Sequence, residues 1–117
     1  RSIKKISNKN NKKLKLPNYL NTRDFIHISD VVSAIIKSIH LKGFKIFNIG
    51  TAKDTRIITV AKIIMKKLNI NKQIVYLNKS SNVNSISKEN INKTKKILKW
   101  TPKININNGL RDLINYE

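Results

Sequence analysis

Arg23-Asp24-Phe25-Ile26-His27-Ile28-Ser29-Asp30 crowds a cation, two carboxylates, two aromatic rings and a helix-start signal into one short run. The chain of 117 residues holds only six acids, and two of them stand here. Phe25, Ile26 and Ile28 read as a short extended segment. Ser29 or Asp30 is expected to cap a helix whose first turn begins at Val31. Val32, Ile35, Ile36 and Ile39 mark its main apolar stripe. Val31 and Ala34 widen that stripe, so the helix is expected to be well buried.

Reading outward from this run, residues 1–13 are basic and Asn-rich and fit a helix end plus a loop. Leu14 and Leu16 flank Lys15 in a short alternating strand pattern that stops at Pro17. Residues 18–22 read as a loop. On the other side, Gly43 supplies a helix stop, because a left-handed C-terminal residue costs least as Gly. Residues 44–49 form a continuous β-type run ending at Gly50, as in a strand covered on both faces. Thr55 is a suitable N-cap for the clearest amphipathic helix of the chain, carrying Ile57, Val60, Ala61, Ile64, Met65 and Leu68. Residues 74–77 give the next strand, and 78–88 a polar loop. Asn90 is expected to cap a short helix with Ile91, Ile97 and Leu98, closed by Trp100 and Pro102. Asn107 or Asn108 starts a last helix with Leu110, Leu113 and Ile114 inward. Short strands alternating with helices, with no repeat or linker, predict an α/β fold over residues 1–117.

Composition bounds the function. There is no Cys, so disulfides and thiolate metal sites are excluded. No apolar run is long enough to span a bilayer, and a cytoplasmic location is expected. The formal net charge is +19, with a pI near 10.5. A basic binding module for nucleic acid or another polyanion is one reading of that charge. The other is a bias toward A/T-rich codons, which encode the abundant Lys, Asn and Ile. Lysines are spread along the whole chain, and aromatic residues make up only 6%. Base-stacking folds interleave aromatics with their basic residues. Nucleic acid is therefore not the expected partner. His27 and His40 are far apart and lack a carboxylate triad, so no metal site is expected.

Four segments in register give the chain a family resemblance. Residues 23–31 resemble the Arg-Asp-Phe-[Ile/Val]-[His/Tyr]-Val-x-Asp-Val run of NAD-dependent epimerase/dehydratase proteins. Those proteins are the extended short-chain dehydrogenases that act on nucleotide sugars. Phe47-Asn48-Ile49-Gly50-Thr51 is similar to their Asn-[Ile/Leu]-Gly strand end. Residues 55–68 resemble the Thr-initiated helix that follows. Residues 93–102, with Leu98, Trp100 and Pro102, resemble the Lys-Ala-x-x-x-Leu-Gly-Trp-x-Pro run, and Asn108-Gly109-Leu110 the Glu-Gly-Leu after it.

The resemblance implies the C-terminal substrate-binding part of an extended Rossmann-type short-chain dehydrogenase, in which strand 44–49 joins the edge of an N-terminal dinucleotide-binding sheet. Without that sheet the chain is expected to be marginal or prone to aggregate. The resemblance assigns Arg23 to the diphosphate of a nucleotide sugar, a UDP- or dTDP-sugar, and makes Asn48 a candidate pocket-lining residue. It implies NAD(P) as the cofactor of a full-length parent, which is expected to form a homodimer. Asp24 is expected to hold Arg23 or to be solvated, His27 and Trp100 to pack, and Asp30 to serve the helix start. The Gly-rich pyrophosphate turn is absent, since the only glycines are at 43, 50 and 109. The family's Tyr-x-x-x-Lys pair is absent too: Tyr76 precedes Ser80 by four residues, and Tyr19 precedes Arg23. This chain is thus expected to hold no catalytic and no cofactor-binding residue, to lack roughly the first two-thirds of its parent, and to be inactive alone. An inactive gene remnant is a further alternative.

The sequence departs from the family pattern at four places, one of them Glu89-Asn90 in place of an Ala-Asp helix start. Pro17-Asn18-Tyr19 replaces a Gly-Asp-Gly turn, and Lys99 replaces the Gly before Trp100. The 78–88 loop lacks a second nucleotide-contacting Arg, for which Lys79 or Lys88 could substitute as point charges.

Overall fold

The computed structural model describes residues 12–77 and 90–116. The basic stretch 1–11 and the loop at 78–88 lie outside them. Strand β1 (Lys13–Pro17) alternates as its sequence demands, with Leu14 buried and its lysines exposed. It pairs in parallel with β4 (Gln73–Leu77), Leu14 opposite Ile74 and Leu16 opposite Tyr76. A parallel pair needs a long crossover. The crossover here holds β2 (Thr22–Arg23), helix α1 (Ile28–Ser38), β3 (Thr55–Arg56) and helix α2 (Ile57–Lys67). Helices α3 (Asn92–Leu98) and α4 (Ile106–Tyr116) follow β4. The architecture is α/β, with a second, antiparallel pair formed by β2 and β3.

Two apolar clusters hold these elements. In the first, Leu14 of β1, Ala61 and Ile64 of α2 and Leu110 of α4 are buried together, with Leu16, Val60 and Ile114 against them. The 3.6-residue spacing of α2 brings Val60, Ala61 and Ile64 to one side, as its sequence predicts. In the second, Ala34 of α1 and Leu98 of α3 close around Ile91 and Trp100, with Ile26, Phe47 and Ile49 at the margin.

Helix ends differ from their sequence reading by a residue or more. Helix α1 begins at Ile28, with His27 as its N-cap: the ring Nδ1 accepts from the Ser29 N–H at 3.3 Å. Ser29 and Asp30 lie inside the helix. The helix ends at Ser38, well before Gly43. Arg56 rather than Thr55 occupies the N-cap position of α2, because both residues are drawn into pairing with β2. Their turn also serves the helix, since the Asn21 and Tyr19 carbonyls accept from the otherwise unpaired N–H groups of Ile57 and Ile58. Asn90 does cap the start of α3, accepting from Asn92 N at 3.1 Å. In α4 that role falls to Asn105, which accepts from Asn108 N at 3.0 Å.

Helix α1 and residues 44–49 stand uncovered for one physical reason. Helix α1 is not well buried: Ala34 is covered, but Val32, Ile35, Ile36 and Ile39 are exposed, Ile39 at 68%. Residues 44–49 form no paired strand, and Phe44 is 91% exposed. A strand exists through its ladder partner, and an apolar stripe is buried by what covers it. Among the described residues, nothing supplies either.

Asp30 joins the two ends of the fold. Its carboxylate is 4% exposed and accepts from Lys103 N and Ile104 N, each at 3.0 Å. Its carbonyl accepts from Ser33 Oγ and from the Trp100 indole N–H. Trp100 also donates to Ser33 Oγ at 2.8 Å and is 2% exposed. Just before it, Lys99 ends α3 in the left-handed region at φ +47°, and its carbonyl accepts from Lys37 Nζ. A Cβ in that region costs ~1–2 kcal/mol, part of which Gly returns as chain entropy. Replacing Lys99 by Gly should therefore raise stability by about 0.5–1 kcal/mol, read as a higher urea midpoint at unchanged m-value. An unchanged or lowered midpoint would contradict it.

Candidate functional site

Arg23 lies on the two-residue strand β2 and pairs across the ladder with Thr55, while Thr22 pairs with Arg56. Directly opposed residues share a face, so Arg23 and Thr55 point to one side and Thr22 and Arg56 to the other. The guanidinium is exposed, and its Nη1 donates to the Thr22 carbonyl at 2.7 Å.

The next residue turns inward. Asp24 accepts from Thr51 N at 2.9 Å, from Ala52 N at 2.9 Å and from the Thr51 hydroxyl. These donors hold Ala52 at φ +57°, a conformation rare for a residue with a Cβ. Neither role expected of Asp24 is its main one: it anchors the turn after Gly50 to the strand that carries Arg23. The sequence hid this contact, because no periodicity links two loop residues so far apart. Asn18 adopts φ +52°, and Asn tolerates that region better than most residues. The Tyr19 ring then packs against Tyr76 of β4 in a tilted arrangement, with centroids 4.5 Å apart.

Asn48 stands apart from Arg23. Its side chain donates to the Asn90 carbonyl at 3.5 Å, and its own carbonyl accepts from Thr94 Oγ1 at 2.7 Å. It joins the 44–49 segment to α3 and lines neither of two clefts near Phe25. The larger cleft, about 590 Å³, lies between the residues 25–28 and α4. Its walls are mostly apolar, with Ile28, Leu113 and Tyr116 prominent. Gly109 keeps it narrow at His27: a Cβ there would sit 3.2 Å from His27 Cδ2. Ile28 belongs both to this cleft and to the exposed stripe of α1, so the two apolar surfaces are continuous. Among the described residues no cluster of His, Asp or Glu could hold a metal ion, and no helix is long and apolar enough to cross a membrane.

Known proteins match this arrangement. The family described as GDP-mannose 4,6 dehydratase matches residues 1–113. The UDP-glucuronate 4-epimerase of Thermodesulfobacterium geofontis is 30% identical over 95 residues, which are 80% of this chain and 29% of that protein. The solved dTDP-glucose 4,6-dehydratase from Bacillus anthracis, in complex with NAD, is 29% identical with a TM-score of 0.76. The match covers 90% of this chain and 34% of that one. A UDP-glucose 4-epimerase from Thermotoga maritima, solved with UDP-glucose, has the same fold at a TM-score of 0.82 and 23% identity, over 98% of this chain and 37% of that one. The chain spans about a third of the length of the curated relatives it matches. By its match over residues 1–113 and its fold, the chain belongs to the NAD-dependent epimerase/dehydratase family, the extended short-chain dehydrogenases.

Proposed function

We propose that this chain is the nucleotide-sugar-binding C-terminal part of an NAD-dependent sugar epimerase or dehydratase. The observation that carries the reading is Arg23, a guanidinium exposed on a strand whose next residue is pinned by three donors. A guanidinium presents two parallel donors to phosphate oxygens, so a fixed strand gives it a fixed direction of approach. The diphosphate of a UDP- or dTDP-sugar is the ligand it would grip. Asn48 ties the 44–49 segment to α3 and, in the parent, would border the pocket only where preceding residues complete it.

The rest of the parent supplies what is missing. A Gly-rich turn for NAD(P) and a Tyr/Lys acid–base pair belong to the preceding two-thirds, which would carry the hydride and proton chemistry. The exposed face of α1, Phe44 and Ile46, and the cleft beside Ile28 together offer that part an apolar seat. Residues 44–49 then gain a ladder partner at the edge of its sheet. The even spread of lysine gives less support to the alternative, a stand-alone basic module binding nucleic acid or another polyanion.

Three outcomes test the reading. In a full-length parent carrying this segment, Arg23→Ala should weaken UDP-sugar binding about 10–100-fold, as for a lost charged hydrogen bond. Its urea midpoint should stay nearly unchanged, whereas Asp24→Ala should lower both affinity and midpoint. Unchanged affinity in Arg23→Ala sinks the phosphate role. The purified chain alone should turn over no nucleotide sugar, and measurable epimerase or dehydratase activity would overturn that. Amides of residues 32–39 and 44–49 should exchange more slowly in the parent than in the isolated chain; equal rates would count against docking on this face.

A further inference from the structure

The smaller cleft beside Phe25 has a different chemistry from the larger one. It measures about 190 Å³, and Thr51, Lys53, Thr55, Lys103 and Asn105 line it with no carboxylate among its walls. At ~30 Å³ per water, that volume suits a tetrahedral oxyanion with some of its hydration.

The neighbouring acids are committed elsewhere. Asp24 accepts from Thr51 and Ala52, and Asp30 from the backbone of Lys103 and Ile104. Asp54 is exposed and forms no ion pair with either lysine; the ion pair among the described residues is Arg111 with Asp112. The Thr51 hydroxyl is spent on Asp24 and on Lys53 N. The ammonium groups of Lys53 and Lys103 and the hydroxyl of Thr55 have no partner among the described residues. Lys53, Lys103 and Thr55 therefore line one small cleft together with the apolar residues Phe25, Pro102 and Ile104. An apolar backing lowers the local dielectric and strengthens charge-assisted hydrogen bonds.

We propose that the cleft lined by Lys53, Lys103 and Thr55 binds a compact phosphate-class dianion. Thr55 faces Arg23 across the β2–β3 ladder, so the site adjoins Arg23 without including it. The proposal stands whether or not Arg23 grips a sugar nucleotide.

The chain's charge of +19 makes weak, unspecific anion binding certain, so the control must match charge. Inorganic phosphate is titrated calorimetrically at fixed ionic strength into the wild-type chain, into Lys53→Gln/Lys103→Gln, and into Lys62→Gln/Lys66→Gln on the exposed side of α2. Both double variants lose two charges. The cleft variant should lose about tenfold or more in affinity, as for one lost charge-assisted contact, and the α2 variant less than twofold. Thr55→Val should weaken binding in the same direction with no charge change. Equal losses in the two double variants, or wild-type binding no tighter than for chloride, overturn the site. Unchanged urea midpoints exclude misfolding as the cause of a loss. UDP serves as the second probe: competition with phosphate assigns the cleft to a nucleotide's phosphoryl end, and independent binding assigns it to free phosphate.

Discussion

The buried carboxylate of Asp30 is the constraint on which the rest of the molecule depends. It sits in the first turn of α1 and receives two backbone N–H groups from residues 103 and 104. A buried, unpaired carboxylate would be costly, and hydrogen bonds to a charged group are worth ~1.5–3 kcal/mol. The chain reaches this balance only if the segment after α3 passes directly over the start of α1. That passage puts Trp100 against Ala34, fixes where α4 begins, and thereby sets Leu110 against α2. Both apolar clusters thus depend on one acid placed by local helix geometry.

Asp24 repeats the same device one strand earlier. It too spends its oxygens on backbone N–H groups of a distant turn, the one after Gly50. The chain has few acids and a large excess of cations. Its two acids in the opening run are consumed as internal anchors rather than as partners for surface lysines. This keeps the surface strongly basic, and it explains how two small clusters suffice to hold several short elements together. Hydrogen bonds from fixed turns substitute for the extra core that a chain of this size lacks.

How much of this the sequence carried depends on the range of each signal. Helical periodicity is local, so α2 and its buried face were legible from residues 57–68, as was the alternation of Leu14 and Leu16. The parallel pairing of β1 with β4 was not, because register between distant strands leaves no local trace. Helix starts shifted through local competition instead: His27 and Asn105, two and three residues before the amides that donate to them, took the place of the expected caps. The stripe of α1 was read correctly as apolar and wrongly as covered. A pattern states which face seeks burial, and it cannot say whether the covering element is present. The motif singles out Arg23 as a candidate, whereas the residues of the cleft between Lys53 and Lys103, drawn from separate loops, share no local sequence signal.

The opening run also shows why adjacency in sequence misleads about charge. Arg23 and Asp24 are neighbours, and an ion pair between them was one natural reading. Along an extended chain successive side chains point to opposite faces. Asp24 therefore turns toward the Thr51 turn while Arg23 turns toward solvent. The separation has a chemical use. With its oxygens engaged by Thr51 and Ala52, the acid anchors the strand to the turn after Gly50 instead of neutralising the neighbouring guanidinium. A lysine at position 23 would keep the charge but lose the planar fork on which the proposed diphosphate role rests.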